Sequence, residues 1–144
     1  MAITTNAICN SFKKELLEGK HNFSSAPSSV FKLAMYNSNA VLGKSTTSYT
    51  TGQEVTSPAG YSAGGKALVN TGTSVASSVA ITTFGNLSFT NVTLTARGAL
   101  IYNTSNSNSA VAVLDFVSDK TATAGTFTIQ FPAYTTSAAI LRIS

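Results

Sequence analysis

Charge is scarce in this chain. Only 10% of its 144 residues are charged, where an ordinary soluble domain carries roughly 25%. The acidic residues are Glu15, Glu18, Glu54, Asp115 and Asp119 and no others. Glycan hydrolysis by paired carboxylates needs two of them in one cleft, which so small and scattered a set scarcely permits. His21 is the single histidine, so a histidine-based triad or an ordinary metal site has no material to work with. It falls in a serine-rich stretch and reads as a solvated linker residue. Cys9 is the single cysteine and cannot close an internal disulfide, which suits folding in a cytoplasm. No apolar run approaches the ~20 residues of a membrane-spanning helix, and residues 1–10 lack the basic segment of a secretory signal. These shortages set the expectation of a protein that is soluble as made and has no catalytic residues, metal, cofactor or membrane contact.

The basic residues do not change that expectation. Nine lysines and arginines give a formal charge of +4, and only Lys13, Lys14 and Lys20 lie close together. Aromatic residues do not interleave with a basic stripe, so nucleic acid is not the expected ligand, and the charge reads as a mild bias toward an acidic protein partner. Phosphate-binding loops are absent as well. Gly65-Lys66-Ala67 leads into a strand pattern, and Gly43-Lys44-Ser45 has Ser38 where the motif needs its upstream glycine and no helix after it. Four Asn-x-Ser/Thr matches, at Asn22, Asn86, Asn91 and Asn103, are chance products of an Asn/Ser/Thr-rich chain.

What is present is 43% hydrophobic residues set in periodic runs, with Ser, Thr, Asn and Gly making up most of the remainder. The length suits one compact domain with a real core. A surface of hydroxyls and amides is poorly defended against association through strand edges or neutral patches. The organising stretch is residues 92–119, where two β-branched and aromatic runs flank the polar residues 103–109, the pattern of a long antiparallel hairpin. Gly98 interrupts the alternation and predicts a bulge or a crossing between sheets. On the return arm Asp115 stands in an apolar run, and Arg97 on the facing arm is its expected structural partner.

Around that hairpin the spacing predicts a helix over residues 7–18, capped by Thr5 or Asn6 and ended by Gly19, with Ile8, Phe12 and Leu16 on its apolar stripe and Cys9 beside them. The stripe needs cover from the chain's own sheet or from another subunit. Residues 21–29 read as a linker, giving an N-terminal helix and linker arm over 1–29 and a β-sandwich domain over 30–144. Residues 30–37 alternate as a strand. Residues 43–65, with five glycines, form a long excursion carrying Tyr49 and Tyr61 and one short strand near 54–56. Further strands are expected at 66–71, 75–84, 126–131 and 138–143, the last with Leu141 and Ile143 inward, and a turn at 121–125. The fold class is mainly β: an antiparallel β-sandwich, jelly-roll-like, with one short N-terminal amphipathic helix.

Several segments together carry a resemblance. The opening ITTNAICNSFKKELLEGKHNF, the strand FKLAMY, the turn-rich GYSAGG, and LTARGALIYN with AVAVLDF, DKT and FTIQFP resemble a family of small virion proteins of tailed bacteriophages and prophages. The resemblance brings no catalytic motif. It implies a structural particle component in the virion, made in the host cytoplasm. Among such components, a capsid decoration (cement) protein on the capsid surface fits a neutral, strand-rich chain best, and a tail, fibre or baseplate component involved in host recognition is the alternative. The expected partners are the major capsid protein, sister subunits in a homotrimer, or both. The expected contact residues are Ile8, Phe12 and Leu16 on the helix and Tyr49 and Tyr61 in the long loop.

Overall fold

A computed structural model describes residues 3–26, 28–56 and 60–144. The chain is mainly β, with two antiparallel sheets in a sandwich-like arrangement and one short helix. In order come β1 (Ala7–Ile8), α1 (Asn10–Leu17), β2 (Phe31–Tyr36), β3 (Lys66–Ala67), β4 (Asn70–Ala76), β5 (Val79–Phe84), β6 (Leu87–Asn103), β7 (Ser109–Ile129) and β8 (Leu141–Ile143). The larger sheet has the order β1-β7-β6-β2-β3, and the smaller β4-β5-β8.

The β6–β7 hairpin is the centre of the larger sheet, as its sequence pattern indicated. Its tip is held by Asn103, whose side chain accepts a hydrogen bond from Ser105 N at 2.9 Å and starts a single 3-10 turn over Thr104–Asn106. Beyond the tip Ala99 pairs with Leu114 and Leu100 with Val113. The register shifts between Ala96 and Gly98, where a Cβ on Gly98 would lie 2.5 Å from the Leu114 carbonyl oxygen and 2.6 Å from Ile3 Cδ1. Glycine therefore stands at the bulge because two segments cross there at backbone distance.

β7 then bends. The Phe116 and Phe127 rings are 6.0 Å apart although a straight strand would separate these residues by about 36 Å. Left-handed residues at Val117 and Ala124 on β7, with Asn91 and further register shifts on β6, supply the curvature. The turn expected at residues 121–125 is instead part of this curved strand: Leu94 pairs with Ala122, and the hydroxyls of Thr95 and Thr121 meet at 2.9 Å. Threonines suit a pleated surface, and this pairing overrides the local turn signal.

Two other segments differ from expectation. The helix starts at Asn10, after Cys9 as N-cap, because Ala7 and Ile8 pair with Val113 and Ala112 as a strand. Asn6 accepts a hydrogen bond from Asp115 N instead of capping the helix. Gly19 does take the left-handed conformation past the helix end. Residues 75–84 do not form one strand: Ser77 and Ser78 are both left-handed, the geometry of a type I′ turn, and β4 folds back onto β5.

A series of phenylalanine rings joins the layers. Phe12 on α1 meets Phe23 at 5.9 Å, Phe23 stacks on Phe31 of β2 at 4.4 Å, Phe31 meets Phe84 of β5 at 5.6 Å, and Phe84 meets Phe131 at 5.5 Å. Phe12, Phe23, Phe31 and Phe84 are buried and Phe131 half-buried, and each fully buried ring is worth about 1.5–3 kcal/mol of hydrophobic stabilisation. Ile3, Cys9, Phe12 and Phe23 from residues 3–29 belong to the same buried cluster as the strands. In β8, Leu141 is half-buried, whereas Ile143 is 60% exposed and not turned inward as expected.

Candidate functional site

The most concentrated polar chemistry surrounds Glu54. Residues 50–54 run beside β2, so that Glu54 bridges Tyr36 and Val55 N donates to the Met35 carbonyl. This carries the Glu54 carboxylate under the surface, where three donors converge on it. Tyr49 OH donates to Oε1 at 2.6 Å, Tyr61 OH to Oε2 at 2.5 Å, and Gly64 N to Oε2 at 2.7 Å. Tyr61 OH in turn accepts from Met35 N at 3.0 Å. Tyr36 OH donates to Thr50 O, and Tyr102 OH to Gly64 O, with the Tyr102 ring stacked on Tyr49 at 4.7 Å. Gly65 is required in the next position: its φ is +76°, and a Cβ there would fall 1.8 Å from the Leu33 carbonyl oxygen.

A buried carboxylate is tolerated when charge-assisted hydrogen bonds replace its water, and three donors do so here. Burial first, and the nearby carboxylate second, push Tyr102 up to about 12. Burial also raises Tyr36, Tyr49 and Tyr61 far above the ordinary tyrosine range, with Glu54 adding to it. The phenols thus stay protonated and committed to their acceptors. The arrangement locks the described parts of the 43–65 excursion against β2 and β6; residues 57–59 of the expected excursion lie outside the described residues.

A second polar cluster ties residues 15–21 to the hairpin tip. His21, read from sequence as a solvated linker residue, is buried between the Phe12 and Phe31 rings. Its Nε2 stands 3.1 Å from Glu15 Oε1 and its Nδ1 2.9 Å from Asn103 Nδ2. A carboxylate can only accept and an amide nitrogen only donate, so the proton lies on Nε2. Glu15 Oε2 also accepts from Asn106 Nδ2 at 3.4 Å. Alternation was the missed signal: His21 and Phe23 face inward while Asn22 faces out, as in an extended segment crossing a core.

Arg97 and Asp115 are brought together. Arg97 Nε lies 3.4 Å from Asp115 Oδ1, which also accepts from Val117 N at 2.8 Å and so holds the strained bulge. Cys9 is buried, and burial pushes its thiol up to about 11, away from thiolate chemistry. Among the described residues no group of three or more His, Cys, Asp or Glu side chains could hold a metal ion. Of the five expected contact residues, Phe12 and Tyr61 belong to the chain's own buried core. Tyr49 is half-buried and spent on Glu54 and Tyr102, while Ile8 and Leu16 are half-buried at the edge of the core. On the helix stripe, Phe12 is covered by the linker aromatics His21 and Phe23, whose inward alternation the composition hid.

A scan against protein-family models, a search of curated proteins and a search of solved structures each return no match to this chain.

Proposed function

We propose that this chain is a non-enzymatic structural component of a bacteriophage virion, a capsid decoration (cement) protein that binds the major capsid protein and its own sister subunits as a homotrimer on the capsid surface. The observation that carries the reading is where the carboxylates go. Glu15, Glu54 and Asp115 are each spent on internal hydrogen bonds that hold segments of the fold together. The outer faces offer neutral hydroxyls instead, among them the Ser88–Thr128 and Thr95–Thr121 pairs across the hairpin. Contacts of that kind are individually weak, and repetition over a lattice turns weak contacts into firm retention. The resemblance of the sequence to small virion proteins of tailed bacteriophages supports the same class.

The test is removal and return. Particles made without this chain are expected to rupture at lower temperature and in low salt, and adding the purified protein back should restore their resistance. Heads of unchanged resistance, combined with loss of adsorption to the host, would move the protein to the tail.

A further inference from the structure

Both sheets stop short at the same place. β1 is one edge strand of the five-stranded sheet and β8 one edge strand of the three-stranded sheet, and among the described residues no further strand lies beyond either. Two hollows, of about 480 and 720 Å³, border both strands and share Ile8, Ile140 and Arg142. The first is floored by β1 and β7 against Ile129 and Phe131, and the second by Phe12 and Leu16 against the end of the smaller sheet. In that sheet Val75, Ala80 and Ile143 stand in one cross-strand row, with Val75 71% and Ile143 60% exposed. An apolar row beside a sheet edge is the setting in which an extended peptide adds to a sheet: the backbone of the edge strand supplies hydrogen bonds and the hollows take alternate side chains.

Charge narrows the occupant. Neither hollow is lined by an Asp or Glu side chain, whereas Lys13 and Arg142 line the larger one. Among the described residues Lys13 has no ion pair, and the Arg142 guanidinium donates to the Ser137 carbonyl without a carboxylate partner. A second copy docking through the same edge would bring its own Lys13 and Arg142 to the contact and no acidic side chain from its hollows to meet them. A helical segment would leave the β8 backbone edge unused, and an acyl chain would leave it equally unused.

We propose that an extended, acidic segment of a partner protein adds as a further strand to the free edge of β8 and sets alternate apolar side chains into the two hollows. This goes beyond the particle reading and does not depend on it.

The full-length protein is to be panned against a random library of short peptides displayed on their own messenger RNA. The enriched peptides should alternate apolar and polar residues and carry Asp or Glu. Methylating the backbone nitrogens of such a peptide in one alternate phase should weaken binding at least about tenfold, and in the other phase should change it little. Ile143→Glu should also weaken binding about tenfold, by repulsion at an exposed position. The N-methyl comparison uses the natural protein and decides the matter even if that variant is unstable. The proposal is overturned by any of four results: no enrichment, basic peptides, apolar residues at helical spacing, or equal tolerance of methylation in both phases. Displacement of the peptides by dodecanoate with tighter affinity than theirs would reassign the hollows to a lipid and overturn it as well.

Discussion

His21 and Asn103 are 82 positions apart in the chain, and the Asn103 amide nitrogen lies 2.9 Å from the His21 ring. This contact fastens the segment after α1 to the tip of the central hairpin, and Asn103 uses its other atom, Oδ1, to start the tip's 3-10 turn. His21→Ala removes the ring from between Phe12 and Phe31 and takes a hydrogen-bond partner from buried Asn103 and from half-buried Glu15. It should cost about 2–4 kcal/mol in urea unfolding. A change within roughly half a kcal/mol, normal for an exposed site, would return His21 to the status of a solvated linker residue.

Alkaline stability should report on the Glu54 cluster. Its tyrosines have folded values raised above the ordinary value of about 10, to about 12 for Tyr102 and higher for the others. Where the unfolded chain loses these protons and the native one keeps them, the unfolded state binds fewer protons, so stability falls as pH rises. It should be flat with respect to these groups below about pH 10 and drop above it by about 1.4 kcal/mol per pH unit for each tyrosine. Ultraviolet titration should show the four phenols ionising together with unfolding. Stepwise ionisation of a chain that stays folded would contradict the geometry described.

Val117 is a β-branched residue at φ +71° and is 78% exposed. It pays a steric penalty without burying its side chain, while Asp115 Oδ1 holds its amide in place. Val117→Gly should therefore stabilise the protein by about 0.5–1 kcal/mol, read from the thermal midpoint. A loss of stability would mean that the bulge is not strained at this position.

The long hairpin, its polar tip, the bulge at Gly98 and the Arg97–Asp115 pair were legible in the sequence because each follows from a local pattern or from register across one turn. The curvature of β7 was not. Thr121 and Ala122 resemble turn residues until their partners Thr95 and Leu94 are known, and pairing partners are non-local. Ser77 and Ser78 hid a tight turn because neither is the Asn or Gly that usually announces two left-handed residues. The Glu54 cluster gathers Tyr36, Tyr49, Tyr61 and Tyr102 from segments whose proximity is a product of the fold. Glu54 looked unremarkable among loop residues, although a carboxylate with tyrosines five before it and seven after it was a usable hint. For Phe12, the apolar spacing is plain in the sequence, but Ile8 leaves the stripe for β1, and what covers Phe12 depends on a linker whose composition conceals two inward aromatic rings.

The central claim is that this molecule works by occupying places in a lattice. Counting its copies in purified particles by quantitative mass spectrometry, relative to the major capsid protein, tests that claim most directly. The account predicts a fixed ratio set by the head lattice, with copies on the scale of the capsid subunits themselves. A handful of copies per particle, or none, would contradict it.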